Sequence, residues 1–543
     1  MIQLERKIAT KLNSNLSKLL IINLWVCSIV TLTAQTLSIK NDQFWDTTNG
    51  EPIYSQGGGI FKFLDPETNI QKYYWYGVHY KEAELYRNNP SITQPNASFV
   101  SVTCYTSTDL VNWKSEKPVL TIDEINQNYS RTGWVGRLGV AYVKELKKYA
   151  LFVQHNDQVL ITVSESPTGP FKWHQRINME KMIGTSNTGD QTVFTDEDTG
   201  ISYLVYSYGN GRNKIYISEI GVIEGKVNLL DCTQVFKGAG REGNCMFKYN
   251  GKYYLFASNL YGWDSSYAYY LVADAIRGPY VPKNKMLITP GSNDDYAHIS
   301  QTGFFTSLKT NNHELVIYCG DRWANFAGNG LGYNQWCPIT FQGETPYFNS
   351  LQSWNFDLST GDWNVAIDNN YVKNGSFEAD RRHIPSPVKP IQEQLKGWFT
   401  KIYEGNEIVV GSDESPVLNY FNTEEDRKFV IGEKSLNITD DIKFKRKVSQ
   451  TIESTPFVKL EDGSYKLSAK IKNTNGFTAL NMYSESDNQI KHLNILEQHN
   501  AWVTVEIDHV YVTNGKVEIG FVAEGNANAE CQIDDVTFIK SIN

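Results

Sequence analysis

From Gln35 to about Asn370, apolar and polar positions alternate in short runs separated by turn phrases such as Asp65-Pro66-Glu67 and Asn250-Gly251. Helical periodicity is almost absent, which predicts an all-β region. Within it a two-strand phrase recurs five times, the second strand being rich in aromatic residues: KYYWYG (Lys72–Gly77), KYALFV (Lys148–Val153), SYLVYS (Ser202–Ser207), KYYLFA (Lys252–Ala257) and ELVIYC (Glu314–Cys319). Each begins roughly 50 to 75 residues after the last, the period of a propeller blade with variable loops. A five-bladed β-propeller is the architecture expected. The residues leading each first strand would then face its axis: Gln56, Gly136 with Arg137, Asp190, Glu242 and Gln301.

Leu351 to Asn364 reads as a closing hairpin with Gly361 in its turn. Beyond it the pattern changes. After NGSFE (Asn374–Glu378) and the prolines 385, 387 and 390, alternating strands such as SYKLSAKIKN (Ser464–Asn473) and WVTVEIDHVYV (Trp502–Val512) lead to CQIDDVTFI (Cys531–Ile539). About 170 residues of this kind predict a β-sandwich of jelly-roll type. The expected division is residues 1–34 as a leader, 35–370 as the propeller and 371–543 as the sandwich.

Length supports more than one folded unit, since 543 residues exceed the roughly 250 to 300 at which one core stops growing. A net charge of −9, with no long Lys/Arg run past the N-terminus, argues against nucleic acid as a partner. The first 34 residues carry Arg6, Lys7, Lys11 and Lys18, then an apolar run from Leu19 to Leu32, then Thr33 and Ala34. That is the layout of a secretory signal peptide, and the run is short for a membrane span. Export to the periplasm, cell surface or medium is expected, with no membrane span after cleavage and a monomeric product. The six remaining cysteines fit neither a zinc site nor a disulfide framework; most read as buried small apolar residues, with Cys319 and Cys337 the only short-loop pair to test for a bridge.

Two axial acids stand at equivalent places in successive blades, Asp190 in NTGDQTVF and Glu242 in GREGNCMF. Cleaving a glycosidic bond needs a protonated carboxyl for the leaving oxygen and usually a second carboxylate. Apolar neighbours and a nearby like charge would keep Glu242 protonated, while Asp190 would orient it. Among the aromatic residues most are core by position. The loop residues Tyr261, Trp263 and Trp323, with Asp321 and Arg322 beside the last, are the ones expected to meet a sugar, Trp134 being a weaker case. His79 and His298 read as polar lining or core histidines, neither having a partner at metal-ligand spacing.

YTSTDLVNWK (Tyr105–Lys114), VSESPTGPFKW (Val163–Trp173) and the Asp190 and Glu242 phrases resemble glycoside hydrolase family 43 over roughly residues 43 to 365. DTTNGEPIYSQGGGIF, GREGNCMFKYNGKYYLFASNLYGWD and ISQTGFF with YCGDRW are most similar to its exo-β-1,3-galactanase branch. The resemblance implies Glu242 as general acid, Asp190 as its modulator and Gln301 in place of the usual base, because the first-blade position of that base holds Gln56. It also implies Gln56 and Arg137 as substrate contacts. The branch's glutamate ahead of that arginine is replaced here by Gly136, leaving room for another side chain or sugar. NGSFE and IDDV resemble the ends of carbohydrate-binding modules, which implies Glu378 and Asp535 as ligands of a structural calcium. No cofactor is required for the reaction.

The reading is an exported, inverting glycoside hydrolase acting on a polysaccharide or oligosaccharide. The foremost candidate is an exo-β-1,3-galactosidase on arabinogalactan. The alternatives are an α-L-arabinofuranosidase or β-xylosidase, or a glycan-binding protein that no longer cuts.

Overall fold

The structure, a computed structural model, describes residues 36–88, 96–128, 133–156, 158–311, 313–323, 332–379, 395–407, 418–420 and 434–542. The segment read as an export signal and the three closely spaced prolines lie outside the described residues. Among those residues no helix is long and apolar enough to cross a membrane.

The chain is all-β. Residues 56 to 348 form five successive antiparallel sheets of four or five strands, each led by one of Gln56–Leu64, Val135–Val143, Thr188–Asp196, Glu242–Tyr249 and Gln301–Lys309. These leading strands touch in order, and the fifth returns to the first, so they close a ring. The second strands are the aromatic phrases of the sequence, Gln71–Tyr80, Lys148–His155, Ile201–Tyr208, Lys252–Ser258 and Glu314–Trp323. Their side chains alternate between the two faces of a sheet, and each face packs on a neighbouring sheet. Between the fourth and fifth sheets, for example, Phe305 lies 4.6 Å from Phe247 and 4.7 Å from Phe256.

The closing hairpin forms as Ser353–Asp357 and Trp363–Val365. It is joined by a strand from the start of the described chain, Thr36–Lys40, in a three-stranded sheet. Pattern alone did not disclose that pairing, because its partners lie more than 300 residues apart. Five of the six described cysteines are buried, as expected, and the one candidate bridge is excluded by register. Cys319 is paired with Trp336 and Cys337 with Tyr318, so the two thiols point to opposite faces of the sheet and enter different cores. All six described cysteines are free.

The C-terminal region contains two antiparallel five-stranded sheets sharing one apolar core, in which Val448, Leu467, Met482, Phe521 and Ile533 are buried. Its opening turn is pinned by Asn374, whose side chain donates to Lys396 O at 2.9 Å and accepts from Ala379 N at 3.0 Å. Of the two residues expected to hold calcium, Asp535 lies 3.4 Å from the Lys470 ammonium, and the charge of Glu378 acts on Arg322 and Tyr333 of the fifth sheet. Among the described residues no group of three or more His, Cys, Asp or Glu converges.

Candidate active site

All five leading strands break register within their first residues: between Gln56 and Gly59, Val135 and Leu138, Thr188 and Gln191, Glu242 and Cys245, and Thr302 and Phe304. A β-bulge bends its strand and re-aims one side chain. Repeated five times around a ring, it turns one short polar phrase per sheet toward the axis. Each bulge contains glycine, and at Gly243 the reason is explicit. Its φ is +61°, and a Cβ there would lie 2.4 Å from Thr302 O of the next sheet.

The bulges enclose a pocket of ≈ 550 Å³, within the usual range for a small-ligand site. Gln56, Arg137, Asp190, Glu242 and Gln301 all line or underlie it. Glu242 is 9% exposed and Asp190 6%. One nitrogen, Arg212 Nη1, donates to both carboxylates, at 2.8 Å to Glu242 Oε2 and 2.9 Å to Asp190 Oδ1. Asp190 Oδ2 also accepts from Gly243 N at 2.7 Å and lies 3.5 Å from Arg137 Nε.

These contacts separate the two acids. Burial works against ionisation of Asp190, but Arg212 and Arg137 outweigh it and hold the carboxyl below its ordinary range. For Glu242, burial raises the value first and the negative Asp190 adds to it; Arg212, Arg137 and the Gln301 amide pull the other way, and the balance is about 7. Its ion-pair contacts favour the charged form and its burial the neutral one. Burial prevails because the nearest cation is shared with Asp190. A protonated carboxyl beside a permanently charged one is the division of labour that glycoside cleavage uses.

Gln301 is fixed by chemistry as much as by packing. Arg137 Nη2 and the Trp323 indole can only donate, so the atom they face, each at 2.8 Å, is the amide oxygen. The amide nitrogen then donates to Glu242 Oε1 at 2.8 Å. With its oxygen already accepting two hydrogen bonds, Gln301 orients Glu242 rather than standing ready to take a proton. It is delivered by a rare local structure: Tyr296, Ala297, His298 and Ile299 all have left-handed φ, from +47° to +54°, at a cost of about 1 kcal/mol or more each. His298 clamps this turn, with Nε2 3.1 Å from Asp42 and Nδ1 2.8 Å from Ser350 Oγ. Burial alone would lower the imidazole, but Asp42 and Asp295 raise it to about 9. His79, by contrast, stacks on Tyr54 at 4.4 Å outside the pocket.

Of the seven expected sugar contacts, Gln56, Arg137, Trp263 and Trp323 line the pocket. Trp263 and Trp323 meet edge to face at 5.1 Å. Asp321 lies beneath, fully buried, ion-paired with Arg137 and accepting from Gly57 N at 3.1 Å. Arg322 points the opposite way, as alternation along a strand requires, and pairs with Asp42 at 3.0 Å. Tyr261 is 2% exposed and packs on Tyr267 and Tyr296 instead of the pocket.

Two lining residues change the picture. Arg212 was not singled out in the sequence; its signal was only the turn phrase GNGRN. Trp134 occupies the space over Gly136, where a Cβ would come within 1.6 Å of the indole. The room left by Gly136 is therefore filled from within the chain, by an aromatic wall.

A pocket at the axis of ringed sheets, with indoles on its walls and two carboxyls held in opposite charge states, defines a glycoside hydrolase. Residues 79–333 match the family model described as "Glycosyl hydrolases family 43". That match covers most of the ringed sheets, and members of the family are β-propellers and inverting enzymes. Solved structures with the same fold include an exo-β-1,3-galactanase from Phanerochaete chrysosporium in complex with β-1,3-galactotriose, at 20% identity and TM-score 0.51 over 92% of this chain and all of that one. Another is an exo-β-1,3-galactanase from Clostridium thermocellum, at 18% identity and TM-score 0.50 over 93% of this chain and all of that one. A comparison with curated protein sequences finds no match.

Proposed function

We propose that this protein is an exported exo-β-1,3-galactosidase that removes terminal galactose from arabinogalactan-type chains with inversion. The observation that carries the reading is the Asp190–Glu242 pair, bridged by Arg212 and oriented by Gln301, at the base of a pocket whose volume suits a chain end. Glu242 protonates the leaving oxygen, Asp190 keeps that proton in place until it is needed, and Trp263 and Trp323 receive the sugar ring. Water bonds to the anomeric carbon from the opposite face as the glycosidic bond breaks and the leaving oxygen takes the Glu242 proton; Gln301, whose oxygen is already occupied, takes no proton, so that of the water is released to solvent. The two solved relatives act on β-1,3-galactan by their descriptions, which supports that linkage. The ring of sheets is read as five blades and the C-terminal pair of sheets as a jelly-roll sandwich, meeting near residue 370, behind a leader ending near residue 34.

Product release from β-1,3-galactan, arabinogalactan and aryl β-galactoside, α-arabinofuranoside and β-xyloside tests the reading. Free galactose that disappears in Glu242→Gln is expected. A second reading, an arabinofuranosidase or β-xylosidase, is favoured by one observation: Trp134 fills the space over Gly136, the position at which the resembled branch carries a glutamate. Release of arabinose or xylose alone would move the assignment there. No release from any of them, with glycan binding intact, would replace hydrolysis by binding.

A further inference from the structure

The loops that carry Gln301 and Trp263 are fastened together at the back of the site, and the fastening comes from the C-terminal region. The left-handed turn Tyr296–Ile299 ends two residues before Gln301; the loop 259–268 carries Trp263. Ser266 N donates to Ser300 O at 3.1 Å, joining the two. Tyr267 and Tyr296 pack edge to face at 4.9 Å. Onto this pair comes Lys396, its ammonium 4.5 Å from the centre of the Tyr296 ring, 5.2 Å from that of Tyr267 and 3.4 Å from the Tyr267 hydroxyl. Ala379, fully buried, closes the same cluster with Tyr261 and Ile299, and its carbonyl accepts from Ser265 Oγ at 3.2 Å. Asn374 sets both braces, as the hydrogen bonds to Lys396 O and Ala379 N show.

We propose that Lys396 is a positioning residue for catalysis: seated on Tyr267 and Tyr296, it ties the C-terminal region to the two loops that present Gln301 and Trp263 to the pocket. Four successive left-handed residues do not hold that conformation unless their surroundings over-determine it. A cation on two aromatic faces is one such determinant, directed and insensitive to small rotations of the ring. The C-terminal region then acts on the reaction from behind the site, whatever glycan its own surface meets. The inference rests on Gln301 orienting Glu242 and not on the identity of the sugar.

The experiment compares full-length wild type with Lys396→Ala, Lys396→Arg and, as a control at the same interface that touches neither the Trp263 loop nor the left-handed turn, Phe457→Ala, whose ring contacts Tyr347 at 5.2 Å. Amide hydrogen exchange is followed in peptides covering 259–268 and 296–303, without substrate, alongside kcat, KM and pH profile on the glycan that wild type cleaves. In Lys396→Ala both peptides are expected to exchange about tenfold faster, kcat to fall about five- to tenfold with KM changed less than twofold, and the alkaline limb to move up as Glu242 loses the Gln301 N–H. Asp190, Arg137 and Arg212, the charged groups facing Glu242, are untouched by the change. Lys396→Arg restores all three readouts, and Phe457→Ala leaves them at wild-type values. Unchanged exchange in both peptides overturns the proposal, as does faster exchange with wild-type kcat and pH profile, or an equal effect from Phe457→Ala. If wild type cleaves none of the glycans, the functional reading fails while the exchange comparison still decides whether Lys396 holds the loops.

Discussion

Replacing Glu242 by Gln should make the protein more stable at alkaline pH. The carboxyl is shifted from 4.5 to about 7 in the folded protein, so the native state binds its proton more tightly than the unfolded chain. A raised carboxyl contributes fully below about pH 4.5, and its contribution is lost as pH climbs through about 7. At about 1.4 kcal/mol per unit, wild type at pH 8.5 carries a penalty of about 3 kcal/mol that Gln cannot incur. At pH 5 most of that penalty is absent. Gln and a protonated Glu have closely similar shapes, but Arg212 and Gln301 both donate, so the amide nitrogen of Gln loses an acceptor that a hydroxyl oxygen keeps; that offset does not vary with pH and drops out of the comparison across pH. His298 is common to both proteins, and Asp190, the group coupled to Glu242, is held below its ordinary range and stays ionised from pH 5 to 8.5, so neither alters the difference. The assay is urea unfolding of both proteins at pH 5, 7 and 8.5, with the midpoint difference converted through a shared slope. The stability of Glu242→Gln relative to wild type should rise by about 2 to 3 kcal/mol from pH 5 to 8.5. A difference that falls with pH would show that Arg212 and Arg137 hold Glu242 ionised. It would then be a structural ion-pair residue, and the general-acid assignment would fail.

Arg212→Met removes the cation bridging the two acids, so the alkaline limb of kcat/KM should move above about pH 7 while kcat/KM at its optimum falls about tenfold; a limb moving down would refute the shared-cation account. Trp134→Ala should raise KM about three- to tenfold with little change in kcat, as expected for loss of a stacking surface worth about 1 kcal/mol, and an unchanged KM would remove Trp134 from the sugar site. Gly136→Glu should evict that indole and cost about 1–3 kcal/mol of stability, so a fully stable variant would contradict the observed contact. Reductant should leave the thermal midpoint and activity unchanged, because Cys319 and Cys337 face different cores; a fall in midpoint would reveal a bridge.

What the sequence disclosed follows from which forces act locally. The aromatic strands of Trp75, Leu151, Tyr206, Phe256 and Ile317 were legible because burying both faces of a strand imposes a run of large apolar residues between turns. Asp190 and Glu242 were legible because the phrase repeats and each acid stands at the same point in it. Arg212 was not, since nothing about a turn arginine reveals that its side chain reaches between acids 22 and 30 residues away. Tyr261 and Arg322 looked like ligands because they neighbour Trp263 and Trp323. Side-chain direction along the chain, which decided against them, depends on a register and a packing partner supplied by distant segments. The contact of Lys470 with Asp535 was illegible for a related reason: pattern can place an acid near a chain end, but the lysine beside it enters only with the fold.

The five glycine-containing kinks at the mouth of the ring carry a consequence for change. Each sheet contributes to the pocket through about three residues spliced between a loop and an otherwise regular strand, and the splice is paid for locally by its own glycine. A wall residue can therefore be changed without disturbing the pairing of the strands behind it, provided it is not one of those, such as Arg137, Asp190, Glu242 and Gln301, that tie one sheet to the next. Trp134, lying over the bare backbone of Gly136 on an intact frame, is such a place. The molecule is a turret whose tools share a mount at the axis, and a new specificity is most economically sought by changing the residues beside those ties one at a time.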